Sequence, residues 1–141
     1  MSMSTTISIS ALVESELSKT WRCYTDPEHI VQWNFAHESW HCPAARNELK
    51  VGGTYFARME ARDGSFGFDF KAIYTQVRQM KDFTYVFGGR EATVVFSDEK
   101  RGTRVAIDFD AETENSIDDQ RNGWQAILNN FKAYCESVDG A

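Results

Sequence analysis

Residues 37–41, His-Glu-Ser-Trp-His, match the spacing of the zinc hydrolase motif HExxH. In such a site two histidines one helical turn apart bind zinc, and the glutamate between them activates a water molecule. That geometry needs a continuous helix, whereas Pro43 follows at once and residues 34–36 show no helical stripe of apolar side chains. A third ligand is also lacking, since the downstream Glu60 is expected on the outer face of a strand. The sequence therefore predicts no metal here, and His41 is expected either to point a hydrogen-bonding group at the mouth of a cavity or to satisfy a backbone carbonyl.

A run of acidic residues in the last third of the chain suggests calcium binding at first sight. Its members are Asp108, Asp110, Glu112, Asp118 and Asp119. An EF-hand loop counted from Asp108 needs glycine at its sixth position, where Thr113 stands, and it needs a helix on each side. The flanks here are expected to be a strand and a helix. The run is therefore interpreted as a solvated loop whose carboxylates favour the N-terminus of the following helix.

The sequence contains no anchor for nucleophilic or cofactor chemistry. Residues 64–67, Gly-Ser-Phe-Gly, have the wrong spacing for a Gly-x-Ser-x-Gly elbow, and neither a phosphate-binding glycine loop nor a dinucleotide fingerprint occurs. Cys23, Cys42 and Cys135 are odd in number and form no Cys-x-x-Cys pair, so we expect reduced, buried thiols. No catalytic residue, no cofactor and no metal is predicted.

Aromatic side chains on two neighbouring strands are the remaining candidates for a site. Tyr55, Ala57, Met59 and Ala61 alternate with mostly polar residues, which is the period of a strand with one buried face, and Phe56 is the exception on the outer face. Asp63-Gly64 is a hairpin turn signal. Beyond it a second inward row is expected, consisting of Phe66, Phe68, Phe70, Ala72 and Tyr74. The two strands should present their aromatic rings to one side of a sheet.

The N-terminal third supplies one strand and two helices. Alternation from Ile7 to Val13 predicts the first strand. The period then becomes helical, with Ser15 expected to cap the first helix and Pro27 to end it. A short second helix fits residues 27–33, because proline is well suited to the first helical position. An irregular stretch is expected next, until Gly52-Gly53 introduces the following strands.

The rest of the chain predicts an antiparallel meander and a long final helix. Three further strands are centred on residues 83–87, 94–96 and 105–109. The helix has Ser116 and Asp119 at capping-box spacing, and Gly140 is expected to terminate it. Its apolar stripe comprises Trp124, Ile127, Leu128, Phe131, Tyr134, Cys135 and Val138. This order of elements indicates an α+β fold in which a helix covers one face of an antiparallel sheet.

Length and charge narrow the classes of function. A chain of 141 residues is the size of one domain with one ordinary core. A formal charge of −6 and the absence of a dense Lys/Arg run argue against nucleic acid as a partner. The first residues lack the features of a secretory signal and no long apolar run occurs, so a cytoplasmic protein without a membrane span is expected.

Several local motifs resemble those of a known family: Thr20-Trp21, Tyr24-Thr25-Asp26-Pro27-Glu28, Trp33, Leu49-Lys50-Val51-Gly52-Gly53, Asp63-Gly64 and Gly123-Trp124. Together with the order of elements, they resemble bacterial proteins related to the C-terminal domain of the activator of the heat-shock protein 90 ATPase, within the START and birch-pollen-allergen (Bet v 1, or SRPBCC) superfamily. The resemblance covers nearly the whole chain. It departs at Glu16, where proline is common, and at Ser18, where glutamate is common, and both positions affect only the start of the first helix.

The resemblance implies a helix-grip fold over residues 1–141 as a single domain. In this fold a curved antiparallel sheet of about six or seven strands wraps around the long C-terminal helix, with two short helices after the first strand. Such folds usually leave an apolar cavity between sheet and helix. We predict that the following side chains bind a ligand there: Trp33, Trp40, His41, Tyr55, Met59, Phe68, Phe70, Tyr85, Phe87, Trp124 and Leu128.

The predicted function is binding of a small hydrophobic molecule, lipid-like or aromatic and polyketide-like, by a carrier or sensor that is a monomer or a homodimer. The family name implies one alternative, an interaction protein that modulates a chaperone ATPase. Superfamily relatives that act on polyketides imply another, a cyclase- or aromatase-like enzyme. That enzyme would need a buried acid or base, for which His41, Tyr55, Tyr85 and Arg58 are the loosely placed candidates.

Overall fold

The structure, a computed structural model, describes residues 5–138 as seven strands and three helices. In chain order they are β1 (Thr6–Val13), α1 (Leu17–Thr25), α2 (Pro27–Trp33), β2 (Trp40–Asn47), β3 (Thr54–Ala61), β4 (Gly67–Arg78), β5 (Asp82–Phe87), β6 (Arg90–Glu99), β7 (Gly102–Asp110) and α3 (Ile117–Ser137). Within these residues no helix is long and apolar enough to cross a membrane.

The strands form one sheet in the order β1-β7-β6-β5-β4-β3-β2, with every neighbouring pair antiparallel. From β2 to β7 each strand pairs with the next along the chain, as expected for a meander. β1 and β2 lie at opposite edges, so α1 and α2 carry the chain from one edge to the other. The sheet is curled into a half-barrel, and the predicted α+β helix-grip fold is confirmed.

The strand period of two decides which face of the sheet is buried. Along β3 the side chains of Tyr55, Ala57, Met59 and Ala61 are buried, whereas their neighbours are only partly covered. β1 and β7 show the same alternation, with Ile7 to Val13 and Val105 to Phe109 on the inner face. The inward rows predicted for β1, β3 and β7 are therefore confirmed.

The first two helices meet at a sharp junction. Asp26 ends α1 and caps α2, because its carboxylate accepts a hydrogen bond of 2.9 Å from the Glu28 amide, and Pro27 takes the first helical position. The predicted second helix is confirmed at its expected bounds. The predicted cap of α1 is wrong: Glu16 holds the N-cap position without a side-chain hydrogen bond, while the Ser15 carbonyl accepts from the Thr103 hydroxyl at 2.9 Å.

The long helix α3 begins as the sequence predicts. The Ser116 hydroxyl accepts a hydrogen bond of 3.0 Å from the Asp119 amide and satisfies one of the free donors of the first turn. Leu128, Phe131 and Cys135 are completely buried along its inner face. The helix gives way at Val138, and the predicted terminator Gly140 lies outside the described residues.

The stretch expected to be irregular contains the edge strand β2, which pairs with β3. A bulge between His41 and Ala44 shifts the register, and Pro43 lies inside the bulge, so the alternation by which a strand is recognised is broken. A second difference is Phe66, which was expected in the inward row but precedes β4 and has 62% of its surface exposed.

Candidate ligand-binding cavity

A cavity of about 300 Å³ lies between the inner face of the sheet and α3. Its lining comes from both sides and from the α1–α2 junction: Tyr24, Trp33, Asn34, Tyr55, Met59, Phe68, Phe70, Tyr85, Phe87, Arg90, Ile107, Trp124, Ile127 and Leu128. Most of these side chains are aromatic or aliphatic. The volume is at the lower end of the range of small-molecule pockets, roughly 300–1,000 Å³.

The sheet side of the cavity is rich in aromatic rings. Phe70 of β4 lies in the centre, with its ring centroid 5.1 Å from Phe87, 6.0 Å from Tyr85 and 5.9 Å from Tyr55. The neighbours belong to β3 and β5, which flank β4 in the sheet. Since each ring projects from an inward position, pleating alone aligns them.

The helix side is anchored by Trp124, in the second turn of α3. Its indole is stacked on Phe109 of β7, with centroids 3.9 Å apart and an angle of 7° between the planes. Phe87 lies 6.0 Å away on β5. This packing fixes the indole in the cavity wall.

The end of the cavity near α1 and α2 combines aromatic rings with polar groups. The Trp33 indole donates a hydrogen bond of 2.9 Å to the Cys23 carbonyl, and its ring lies 5.0 Å from Tyr24. Asn34, which follows α2, donates a hydrogen bond of 3.0 Å from Nδ2 to the Tyr55 hydroxyl. Burial raises the pKa values of Tyr24, Tyr55 and Tyr85 above the usual range, so their hydroxyls stay protonated and uncharged at neutral pH.

Arg90 is the one charged side chain among the described residues that line the cavity. It begins β6, directly after the Gly88-Gly89 turn. Its Nε donates a hydrogen bond of 3.0 Å to the Asp110 carbonyl, and its guanidinium lies 4.9 Å from the centre of the Phe87 ring. A peptide carbonyl and an aromatic face thus hold the charge at the rim.

The structure brings every predicted site residue to the cavity except Trp40 and His41. Trp40 contacts Phe68, a lining residue, with centroids 6.1 Å apart. His41 lies on the outer face of the sheet and not at the predicted cavity mouth. Neighbouring residues of a strand point to opposite faces of the sheet, and His41 Nε2 lies 3.7 Å from Glu60 Oε1 across the β2–β3 pair. Arg58, also on the outer face, is bonded to Glu60 and Asp69.

Some lining residues were missed by sequence reasoning: Tyr24, Asn34, Arg90, Ile107 and Ile127. Tyr24, Ile107 and Ile127 lie on apolar faces that the sequence predicts, and choosing among such positions needs the curvature of the sheet. Asn34 and Arg90 stand at the ends of a helix and a strand, where the direction of a side chain cannot be predicted from the period of the sequence.

The two sequence features that resemble metal sites, the HExxH match and the acidic run, make other contacts in the structure. Residues 37–39 form a turn in which His37 Nδ1 lies 2.8 Å from the Ser39 hydroxyl. In the acidic loop, the Glu112 carboxylate accepts hydrogen bonds from the Glu114 and Asn115 amides, which lowers its pKa. Between residues 5 and 138, no group of three or more His, Cys, Asp or Glu side chains is arranged to hold a metal ion.

A larger depression of about 960 Å³ lies on the opposite face of the sheet and is more open to solvent. Phe56, one of its lining residues, is already covered by the Arg46 guanidinium at 4.7 Å and the Lys71 ammonium at 5.9 Å. The smaller cavity is better suited to a small apolar ligand, because aromatic side chains line it on both the sheet side and the helix side.

Comparison with known proteins agrees with the fold. The AHSA1-like protein from Aeromonas hydrophila, a solution NMR structure, is 42% identical, with 94% of this chain and 93% of that chain covered and a TM-score of 0.90. A solution structure from Cytophaga hutchinsonii is 40% identical, covers 94% and 92% of the two chains, and gives a TM-score of 0.77. None of the curated proteins matches this chain.

A more distant crystal structure supports the fold alone. The Chromobacterium violaceum protein CV1439 is 20% identical, with 95% and 99% of the two chains covered and a TM-score of 0.83.

The family model described as "Activator of Hsp90 ATPase homolog 1-like protein" matches residues 15–136. The chain therefore belongs to the activator of Hsp90 ATPase homolog 1-like family, within the SRPBCC or Bet v 1-like superfamily.

Proposed function

We propose that this protein binds a small hydrophobic molecule, lipid-like or aromatic, in the cavity beneath α3 and acts as its carrier or sensor. The observation that carries the proposal is the space of about 300 Å³ that is lined by aromatic side chains on both the sheet and the helix side. A void lined by apolar groups loses packing contacts, and a ligand that fills it restores them. Family membership supports the proposal, since this fold commonly binds hydrophobic ligands.

The size of the cavity favours a compact ligand. A space of about 300 Å³ corresponds to roughly ten water molecules at liquid density, which suits one or two fused rings with a short substituent better than a long lipid chain. Micromolar binding needs only about −8 kcal/mol, which is within reach when most of such a molecule is buried.

The chemistry of the lining favours binding without reaction. Tyr55 and Tyr85, the cavity residues considered for a cyclase-like enzyme, have raised pKa values and remain neutral, so neither supplies a phenolate base near pH 7. The other two candidates, His41 and Arg58, lie beside the Glu60 carboxylate on the outer face, away from the cavity. A carrier needs no general base.

A second candidate function is interaction with a chaperone ATPase, which the family description suggests. Trp40, Phe66 and Phe68 form an aromatic group near the edge of the sheet, with centroids 5.8 to 6.5 Å apart. Phe66 and Phe68 are exposed. Exposed apolar patches often mark surfaces that bind another protein. This candidate competes with the carrier function because Phe68 also lines the cavity.

We also infer a cytoplasmic protein of one domain that is a monomer or a homodimer. The three cysteines support this compartment, since Cys23, Cys42 and Cys135 are all buried and free. Light scattering during size-exclusion chromatography measures the oligomeric state.

The carrier function is tested with a panel of planar hydrophobic compounds, including flavonoids and short polyketides. Binding is measured by thermal shift and calorimetry, and native mass spectrometry of protein from its own host looks for a co-purified molecule. We expect micromolar or tighter binding by at least one chemical class. If the whole panel leaves the melting temperature unchanged while a purified Hsp90-type chaperone binds with micromolar affinity, the interaction function replaces the carrier function.

A further inference from the structure

Two tyrosine hydroxyls in the cavity have no hydrogen-bond partner within residues 5–138: those of Tyr24 and Tyr85. Both side chains are more than nine-tenths buried, with 8% and 6% of the residue surface exposed. No completely enclosed side-chain oxygen or nitrogen in this part of the chain lacks a partner, so each of these hydroxyls keeps some accessible surface, and both side chains line the cavity.

Unpartnered buried hydroxyls are costly, because a polar group that leaves water without gaining a hydrogen bond loses the stabilisation that water gave it. Other tyrosines of the same core avoid this cost. Tyr74 donates a hydrogen bond of 2.7 Å to Asn47 Oδ1, and the Tyr55 hydroxyl accepts one of 3.0 Å from Asn34. Tyr24 and Tyr85 therefore differ from these two tyrosines because their hydroxyls neither donate nor accept a hydrogen bond within residues 5–138, and both side chains line the cavity.

The two tyrosines line the same cavity and share a neighbour. Tyr24 and Tyr85 each lie beside Phe83, with ring centroids 5.9 and 5.6 Å away. The two phenols also influence each other electrostatically, since ionisation of Tyr85 would raise the pKa of Tyr24 further. Tyr85 also lies 6.0 Å from Phe70, so its ring belongs to the aromatic wall on the sheet side, whereas Tyr24 lies at the end near α1 and α2.

We propose that the cavity selects an uncharged aromatic ligand bearing a carbonyl oxygen, which accepts hydrogen bonds from the hydroxyls of Tyr24 and Tyr85 while the ring system lies between the sheet and α3. The proposal rests on the proposed carrier function and names the ligand class of that site. A carbonyl oxygen has two lone pairs and can accept from both donors at once. A molecule with a flat apolar body and one such acceptor fills the space and satisfies both hydroxyls.

A carboxylate suits these two hydroxyls less well. Burying an anion requires a paired cation, and the tyrosines provide neutral donors only. The cation in the lining, Arg90, is already engaged by the Asp110 carbonyl and stacked on Phe87. An acid bound through Arg90 is nevertheless a distinct outcome, and the experiment separates it.

The test uses two probes that differ in a single atom group, 2-acetylnaphthalene and 2-isopropenylnaphthalene, in which a methylene replaces the carbonyl oxygen. Affinities are measured by calorimetry with the full chain and with the variants Tyr24→Phe and Tyr85→Phe. Tyr74→Phe is the matched control, because its hydroxyl is buried and bonded to Asn47 and does not line the cavity. A third probe, 2-naphthoate, is measured with the parent and with Arg90→Gln.

The parent should bind the ketone more tightly than the hydrocarbon, and each cavity substitution should reduce ketone affinity by about two- to tenfold while leaving hydrocarbon affinity unchanged. Tyr74→Phe should leave the preference intact. Equal affinities for the two probes, or a preference that survives both cavity substitutions, would overturn the ligand class and leave the carrier function standing. Tighter binding of 2-naphthoate that is lost in Arg90→Gln would overturn it in favour of an acid. Failure of all three probes to bind would count against both proposals.

Discussion

Trp124 of α3 and Phe109 of β7 are stacked with their ring centroids 3.9 Å apart and their planes within 7° of parallel. Of this pair only Trp124 lines the cavity, and Phe109 is completely buried behind the indole. The stack therefore makes the indole a fixed reporter of whatever occupies the space.

The first prediction uses this reporter. Binding of a planar hydrophobic compound should quench tryptophan fluorescence, and Trp124→Phe should remove a large part of the quenching, because the substituted indole is one of two in the lining. Trp21→Phe is the control: Trp21 packs on Phe96 with centroids 5.0 Å apart and does not line the cavity. Fluorescence titration measures both. A loss of quenching in the control but not in Trp124→Phe would mean that the ligand binds elsewhere.

A second prediction concerns the core contact between α3 and the first two helices. Phe131 is completely buried and touches Tyr24 and Trp33, with centroids 4.8 and 5.1 Å away. Phe131→Ala should lower the free energy of unfolding by about 3–5 kcal/mol, since it leaves a cavity that the surrounding rings cannot fill. Urea denaturation measures the loss. Val51→Ala, at an exposed position, should change it by less than about 0.5 kcal/mol, and a similarly small effect at Phe131 would contradict the packing described here.

A third prediction concerns pH. Arg78 lowers the pKa of Asp82 through hydrogen bonds from its Nε of 3.0 and 3.1 Å, and Gln76 adds another of 3.0 Å. Folding lowers the pKa of Asp82, so its carboxylate stabilises the folded protein at pH values above the pKa of the unfolded chain, about 3.9. This stabilisation is lost as the pH falls through the lower pKa of the folded protein. Asp82→Asn should therefore destabilise the protein more at pH 7 than at pH 3. Arg78 is largely exposed, which limits the size of the difference.

Urea denaturation at the two pH values gives this comparison. Asp98→Asn, at an exposed position in β6, serves as the control and should cost equally little at both. If Asp82→Asn destabilised the protein more at pH 3 than at pH 7, the carboxylate would not be stabilised by Arg78 in the way the geometry indicates.

The sequence predicts this fold well because its elements follow regular periods. Tyr55 to Ala61 alternate without interruption, and the apolar stripe of α3 repeats at helical spacing, so burial and direction follow from position alone. Prediction fails where the period is broken. The bulge at His41 to Ala44 hides β2, and with it the fact that Trp40 and His41 point to opposite faces.

The candidate site was only partly predictable for a related reason. Side chains such as Phe70 and Trp124 lie within regular elements, whereas Asn34 and Arg90 reach the cavity from the ends of α2 and β6. Their positions depend on how the helices cross the curled sheet, which is set by long-range packing. The free hydroxyls of Tyr24 and Tyr85 likewise become visible only when the partners of all the neighbouring polar groups are known.

A fourth prediction concerns zinc. The protein should carry no stoichiometric zinc, because His37 lies in a turn and His41 in β2, so the two imidazoles are not on adjacent turns of a helix. Elemental analysis of protein purified without chelator measures the metal content. One zinc per chain would contradict this expectation, and its loss in His37→Ala would assign the metal to the motif at residues 37–41.

The last prediction concerns the cysteines, whose thiols should be unreactive in the folded protein. Burial raises the pKa of Cys23 to about 12 and that of Cys42 to about 11, so almost no thiolate forms at pH 8, and the thiolate is the reactive species. Cys42 also donates a weak hydrogen bond of 3.4 Å to the Ala44 carbonyl, and Cys23 and Cys135 are completely buried beside each other between α1 and α3. Ellman's reagent at pH 8 should therefore label the native chain far more slowly than the chain in guanidinium chloride, where all three thiols react.

Of the three thiols, that of Cys42 should react first, since it lies in the edge strand β2 next to the bulge, where local opening is easiest. Cys42→Ala tests this order, because it should remove the fastest phase and leave the other two unchanged. Rapid labelling of a thiol that persists in Cys42→Ala would show that α1 and α3 separate readily, which the packing of Phe131 against Tyr24 and Trp33 argues against.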